Sequence, residues 1–438
     1  MDSHDETEAE LTGAAPRRRP KPDILEINGR RLKPATLMMG HGYDPTLSEG
    51  ALKPPIFLTS TFVFESAAAG KRHFEGVLGR RPGGAEGLVY SRFNGPNQEI
   101  LEDRLGVWED AEDALSFSSG MAAIATVLLA SVRPGDTIVH SSPLYAATET
   151  LIGKILGRFG VHWLDFPAGA SRAEIDAVLG RAQAGRVAMI YLESPANPTN
   201  ALVDIEAVAA SRDAIFGAGP DRPPIVIDNT FLGPLWQKPL KHGADLVIYS
   251  LTKYAGGHSD LVAGGVVGAK AAIDPVRAMR NTIGTITDPH SAWMLLRSLE
   301  TLELRMTRAG ENAAKVCAYL RDHPKVERVG YLGFLEGDAQ ADIYRRHCTG
   351  AGSTFSLYLK GGEKEAFAFL DALRIAKLAV SLGGTETLAS APAAMTHLSV
   401  PDARKAALGI SDNLVRISIG VEDAEDLIAD FEQALAAV

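Results

Sequence analysis

The sequence predicts an α/β chain: a mostly parallel sheet with helices on both faces, followed by a smaller C-terminal α+β domain. Three observations carry this. Short continuous apolar runs, Val187 to Leu192, Pro224 to Ile227 and Leu246 to Tyr249, alternate with stretches of helical spacing, as strands buried on both faces do. These runs lead into polar residues able to do chemistry, Glu193, Asp228 and Ser250 with Lys253, and open sheets of this kind carry their sites at the carboxyl ends of strands. The 438 residues suffice for two or three domains.

Taken in order, Met1 to about Asp23 is polar, with Arg17-Arg18-Arg19 beside several acids. It lacks the apolar stretch of a secretory signal and carries the acids a transit peptide avoids, so 1–23 reads as a disordered tail. Gly70 to Gly87 is rich in Gly and Arg and reads as a mobile loop or a connection reaching away from the core. Ile100 to Val107 has helical spacing, and Ala114 to Phe117 is a short strand entering Ser118-Ser119-Gly120. Met121 to Val132 follows as a buried helix, and Pro134-Gly135-Asp136 turns into the strand Thr137 to Val139. Gly264 to Val267 is a further strand. After about Ile286 the character shifts: Ser291 to about Leu320 reads as one long helix bridging two domains. Strands at Ser353 to Leu359 and Leu414 to Ile419, with a helix over Lys364 to Leu373, suggest the smaller domain.

Composition narrows the function. Acids outnumber Lys and Arg by 54 to 44, which argues against a nucleic-acid partner, since that needs a concentrated basic face. Neither Cys317 nor Cys348 belongs to a CxxC or a Cys/His array, so a cysteine-based zinc site is excluded and no metal is expected. A disulfide framework is equally excluded, and a reducing cytoplasm is the expected location. The longest apolar run, Met121 to Val132, falls short of the about 20 residues needed to span a bilayer.

The informative segment is VIDNTFLGPLWQKPLKHGADLVIYSLTKYAGGHSDLVAGGVVG. One strand ends in Asp228, a second in Ser250, and Lys253 follows among hydroxyls and glycines. Partial burial would lower the pKa of that amine and make it nucleophilic. A Schiff base with a carbonyl cofactor is its natural use, and Asp228 could hold a pyridinium nitrogen protonated so that pyridoxal phosphate stays an electron sink. Ser119-Gly120-Met121 opens a helix whose free N–H groups suit an anion, with Ser250 and Thr252 as hydroxyl donors. Each feature alone has an ordinary structural reading; three at successive strand ends form a constellation.

On these residues the chain resembles the Cys/Met-metabolism group of pyridoxal-phosphate enzymes, which includes cystathionine γ-synthase, cystathionine γ- and β-lyases, methionine γ-lyase and homoserine-ester sulfhydrylases. The resemblance runs from about Leu37 to the C-terminus. It is carried by Tyr90-Ser91-Arg92, Ser119-Gly120-Met121, Glu193-Ser194-Pro195-Ala196-Asn197-Pro198, Asp228-Asn229-Thr230, Ser250-Leu251-Thr252-Lys253-Tyr254, Ser381-Leu382-Gly383-Gly384 and Val415-Arg416-Ile417-Ser418. It implies a fold-type-I, aminotransferase-like architecture, with an arm at 24–96 serving a neighbouring subunit's site, a cofactor domain at 97–303 and a C-terminal domain at 304–438. It also implies that pyridoxal 5'-phosphate is the cofactor, an amino acid the substrate and a homotetramer built from dimers the assembly.

Residue by residue, the resemblance implies that Lys253 binds the cofactor covalently and shuttles protons, while Asp228 pairs with the pyridine nitrogen. Gly120 and Met121 N–H groups, with Ser250 and Thr252, would hold the phosphate. Tyr90 and Arg92 would reach the phosphate in a neighbouring subunit, a task that suits the planar Arg fork. Tyr145 would stack on the ring and serve as an acid or base. Asn197, Ser381 and Arg416 would bind the substrate carboxylate or the ring oxygen. Arg416 sits in an apolar strand, where a charge is costly to bury without a ligand or partner. Glu193 reads as an ordinary strand-end surface acid outside the catalytic set. His258 and Asp260 shape the turn after Lys253, and Met395 and His397 belong to packing.

Members of this group differ in where the leaving group departs. Val380 stands where many cystathionine-handling members carry Glu, and an apolar residue there fits a smaller, less polar substrate tail. Against this, Ala146-Ala147 follows Tyr145 without the cysteine typical of methionine γ-lyases. The leading expectation is a γ-acting, methionine γ-lyase-like C–S lyase, followed by cystathionine γ-synthase or an O-acylhomoserine sulfhydrylase, then a cystathionine γ- or β-lyase. A non-catalytic cofactor carrier or interaction protein is the alternative of a different class, and it leaves the Lys253, Asp228 and Arg416 set without a purpose.

Overall fold

The computed structural model describes residues 25–77, 80, 87–182, 185–219, 221–398 and 400–438. The expected tail at 1–23 lies outside the described residues. The main sheet has seven strands: β1 (Asp113–Phe117), β2 (Thr137–Ser142), β3 (His162–Pro167), β4 (Val187–Glu193), β5 (Ile225–Asp228), β6 (Leu246–Tyr249) and β7 (Gly264–Gly268), in the order β1-β7-β6-β5-β4-β2-β3. Neighbours from β6 through β5, β4 and β2 to β3 are parallel, and β7 runs antiparallel to both β6 and β1. Strands β4 to β7 are buried along their whole length, which explains their unbroken apolar sequences.

Register aligns the chemistry. Glu193 sits opposite Asp228, and Asp228 opposite Ile248, so both acids lie at one edge of the sheet. At that same edge Phe117 pairs with Gly264. A Cβ at position 264 would come 2.2 Å from the Ser119 carbonyl oxygen, so only glycine lets β7 pass beneath the turn that follows β1.

The helices that position the site are α1 (Ala67–Val77), α2 (Pro96–Glu109), α3 (Gly120–Ser131), α4 (Ile205–Phe216), α5 (Lys270–Ile283), α6 (Pro289–Leu299), α7 (Leu302–Arg321) and α8 (Ala339–His347). Two expectations are corrected here. The stretch read as a loop from Gly70 begins as helix α1, and residues 78, 79 and 81–86 lie outside the described residues. Ala67-Ala68-Ala69 favours a helix, and Gly70 allows close approach to the Phe64 ring, where a Cβ would be 3.1 Å from its nearest carbon. The single helix expected from Ser291 to Leu320 is two, α6 and α7, separated by Glu300 and Thr301. Buried Leu295, Leu299, Leu302 and Met306 keep helical spacing through the break, so periodicity could not reveal it.

The second sheet comprises β8 (Val326–Gly330), β9 (Thr354–Leu359), β10 (Lys377–Leu378), β11 (Leu388–Ser390) and β12 (Leu414–Ser418), in the order β8-β9-β12-β11-β10. Its core buries Phe355, Leu357, Phe369, Val415, Ile417 and Phe431, and α7 joins that core through Ala313, Val316 and Leu320. Among the described residues no helix is long and apolar enough to cross a membrane.

A buried ion pair ties the main sheet to its helices. Arg280 of α5 donates to Glu102 of α2 at 2.5 Å and to the Ser116 carbonyl of β1 at 3.0 Å, and the same Glu102 oxygen accepts from the Ser116 amide and hydroxyl. Burial raises the Glu102 pKa, but Arg280, Arg277 and these hydrogen bonds outweigh it and hold the carboxyl below its ordinary value. Truncation at Arg280 strands a buried carboxylate. We expect Arg280→Ala to lower the unfolding free energy by about 3–5 kcal/mol in urea titrations at neutral pH. The loss should shrink as pH falls and Glu102 takes up a proton; an unchanged midpoint would remove the pair from the stability account.

Candidate active site

A cleft of about 290 Å³ opens at the carboxyl ends of β1, β4, β5 and β6, against residues of the second sheet. Of the residues expected at the site, Gly120, Met121, Tyr145, Asn197, Asp228, Ser250, Thr252, Lys253 and Arg416 all line it. Ser381 joins them by accepting a hydrogen bond from Lys253 Nζ at 2.9 Å.

Lys253 lies in the turn after β6. Burial, reinforced by the Arg416 guanidinium, lowers its amine from 10.5 to about 8. The turn is gripped from behind: Arg305 of α7 donates to the carbonyls of Tyr254 (2.8 Å) and Ser298 (2.9 Å). Gly257 makes room for that guanidinium, since a Cβ there would sit 1.8 Å from Arg305 Nη1. His258 bonds the Gly256 carbonyl at 2.7 Å, consistent with a turn-shaping role.

Asp228 is buried, and burial raises its pKa while the Thr230 hydroxyl and amide, both bound to Oδ1, oppose that. Glu193 corrects the surface reading given to it. It is 5% exposed and lines the cleft. Burial first, and then the Asp228 carboxylate, push its carboxyl up to about 8. Its two oxygens accept from the Tyr145 amide (2.7 Å) and the Asn197 amide (3.0 Å), so this acid fixes the turns bearing both residues. Full burial of β4 through its last residue was the signal, and a strand-end acid alone did not disclose it.

Arg416, at 3% exposure, donates to Asn197 Oδ1 (3.2 Å) and the Ser381 carbonyl (3.0 Å). Burial lowers it to about 10, and what offsets that burial is the Tyr145 and Tyr254 hydroxyls rather than a carboxylate. A buried, protonated guanidinium held by neutral acceptors is an anchor for an incoming anion.

Helix α3 begins at Gly120 and is capped by Ser119, whose Oγ accepts from the Ala122 amide at 2.9 Å. That leaves the Gly120 and Met121 N–H groups for an anion. Glycine is needed at 120 because a Cβ would come 2.9 Å from the Ser250 Cβ. Thr252 is more engaged than expected: its hydroxyl donates to the Ala263 carbonyl (3.2 Å) and accepts from the Ala263 amide (3.0 Å). Tyr90 and Arg92 do not line the cleft. Arg92 is exposed, its guanidinium lies over the Phe93 ring at 4.5 Å, and it bonds the Asn281 carbonyl.

These features fit pyridoxal phosphate: a nucleophilic amine, an acid at a neighbouring strand end, a helix start for phosphate and a buried cation for a carboxylate. They define a pyridoxal-phosphate enzyme of the open-sheet type. Residues 35–436 match the model of the Cys/Met metabolism PLP-dependent enzyme family, and the chain belongs to that family. It is 39% identical over 412 residues to the L-methionine gamma-lyase of Pseudomonas deceptionensis, covering 92% of this chain and 97% of the relative. It is also 39% identical over 404 residues to the cystathionine gamma-synthase of Mycobacterium bovis, covering 92% and 96%. The solved cystathionine gamma synthase from Xanthomonas oryzae pv. oryzae, in complex with cystathionine, superposes with a TM-score of 0.83 at 33% identity, covering 93% of this chain and 99% of that one. The chain is thus a PLP-dependent enzyme of sulfur amino-acid metabolism.

The lowered amine makes a pH prediction. Only the neutral amine attacks a carbonyl, so the rate at which cofactor-free protein takes up added pyridoxal phosphate should climb about tenfold per pH unit and level off near pH 8. Stopped-flow absorbance checks this; a rate still climbing at pH 10 would return Lys253 to an ordinary solvated amine.

Proposed function

We propose that this enzyme acts at the γ carbon of a sulfur amino acid, with methionine γ-lyase-like cleavage of the C–S bond as its leading activity, consuming one water and releasing a thiol, ammonia and a 2-oxo acid. The observation that carries this is the apolar wall. Val262, Val380 and Leu382 line the cleft, Val380 is 59% exposed, and the acids among the lining residues are Glu193 and Asp228 at the strand ends. An uncharged thioether tail suits such a wall, whereas a distal ammonium would lose solvation without gaining a partner. Replacement chemistry that forms a thioether from an acylated homoserine is the second reading, favoured by a cystathionine gamma-synthase relative as similar as the methionine gamma-lyase.

The chain's own residues divide the work. Asp228 would hold a pyridine N–H, and the Gly120 and Met121 amides with Ser250 would hold phosphate. Thr252 braces the lysine turn through Ala263. Arg416 takes the substrate carboxylate, steered by Asn197 and the Ser381 carbonyl. Bound pyridoxal phosphate supplies the electron sink. Lys253 Nζ takes a proton from Cα and, for departure at the γ carbon, works a second time at Cβ, with Ser381 steadying it between positions. Tyr145 lines the cleft and would flank the ring, with its hydroxyl available to the departing sulfur.

We also read residues 24–96 as an arm that reaches a neighbouring subunit, in a homotetramer built from dimers, with 97–303 and 304–438 as the two domains. Leu52, Leu58, Val63 and Phe74 are exposed, Val63 at 94%, and such apolar surface calls for a covering partner. Arg92, outside its own cleft, is the residue offered across. Two free thiols accord with action in the cytoplasm.

A product assay over L-methionine, L-cystathionine, L-homocysteine and O-acylhomoserines, with and without added thiol, tests the reaction. Methionine should yield a 2-oxo acid and a thiol, and Val380→Glu should shift kcat/KM toward cystathionine by about tenfold or more. No methionine turnover, with thioether formed from ester plus thiol, would transfer the protein to the replacement reading. For the shared site, inactive Lys253→Ala and Arg92→Ala chains should regain about a quarter of wild-type activity when mixed statistically as dimers. Absence of complementation would remove the intersubunit role.

A further inference from the structure

Away from the cleft, two histidines and an acid distant in sequence meet, from exposed Glu206 inward to buried His347. Glu206 lies in the first turn of α4, His242 ends the single turn Pro239–His242 before β6, and His347 ends α8. We propose that Glu206, His242 and His347 form a binding site for a divalent late-transition-metal ion, Zn²⁺ or Ni²⁺, that clamps α8 onto the main sheet's flank. The absence of metal expected from the cysteines does not touch this site, since no thiol takes part.

The geometry supports a ligand set. One donor atom from each residue lies within 4.8 Å of the others. His242 Nδ1 is 2.9 Å from Glu206 Oε1, and His347 Nε2 is 3.8 Å from Glu206 Oε2. The two imidazoles are 4.3 Å apart between centroids and tilted by 34°. Donor atoms this close can share one ion at metal–nitrogen bonds of about 2.1 Å, with water completing the coordination.

Charge favours the ion. Asp204, Glu206 and Asp342 surround the guanidinium of Arg346, and Arg345 adds a second cation 3.5 Å from Asp342. Three carboxylates against two guanidiniums leave net negative charge. Arg346 is also the competitor: its Nη1 bonds Glu206 and lies 3.1 Å from His347 Nε2. An arriving ion displaces only that Nη1, because Asp204 and Asp342 retain the rest of the guanidinium at 2.6 and 3.0 Å. His347 is buried at the end of α8, and its Nε2 faces the Glu206 carboxylate and Arg346 Nη1.

Chelator-treated, desalted holoenzyme titrated by calorimetry with Zn²⁺ and with Ni²⁺ tests the proposal. We expect saturable binding of about one ion per chain at micromolar affinity, with a rise in Tm on metal addition. His242→Ala and Glu206→Gln, both at the surface, should each weaken binding at least tenfold while retaining lyase activity as evidence of folding. Cys348→Ser, beside His347, should bind as the wild type does. No saturable binding of either ion below about 100 μM, or unchanged affinity in His242→Ala, would overturn the site. Loss of binding confined to Cys348→Ser would overturn it equally.

Discussion

The burial of one amine beside one guanidinium governs this molecule. Lys253 and Arg416 share a cleft in which each makes the other's charge more costly, and the amine is the one that yields its proton readily. Asp228 and Glu193 face the converse problem, two carboxylates opposite one another at adjacent strand ends, both raised by burial. The cleft thus sets like-charged groups side by side, and an anionic, pyridinium-bearing ligand would relieve both pairs at once. Binding and reactivity therefore share one electrostatic origin.

The fold serves that arrangement by register and by close approach. Pairing of β4 with β5 sets the acids side by side, and Gly264 lets β7 pass under the start of α3 so that its free amides face the same opening. The second sheet contributes Arg416 from β12, with Ser381 in the segment after β10. Neither sheet holds a complete site.

Much of this was legible in the residues. Strand runs ending in Asp228 and before Lys253 located the cleft, and Arg416 in an apolar strand announced a buried charge in need of partners. What escaped depended on depth and on breaks. Glu193 looked like a surface acid because a strand's last residue can face either way, and only tertiary packing buries it. The interruption at Glu300 and Thr301 left the apolar spacing intact. Helix α1 was hidden by glycines that read as loop residues, one of which, Gly70, packs closely against Phe64. Tyr90 and Arg92 were legible as a motif, yet a single chain keeps them outside its own cleft. The cluster at His242 escaped because its members come from three elements with no common spacing.

The Arg305 guanidinium, threaded over Gly257 onto the Tyr254 carbonyl, makes α7 a lever as well as a connector. That helix is rooted in the C-terminal core, so a swivel of that core would be felt at the backbone of the Lys253 turn rather than lost in a slack linker. It also couples positions 257 and 305: a methyl group at the first would collide with the guanidinium unless the second had shortened, and the positive φ of Gly257 would strain it even then.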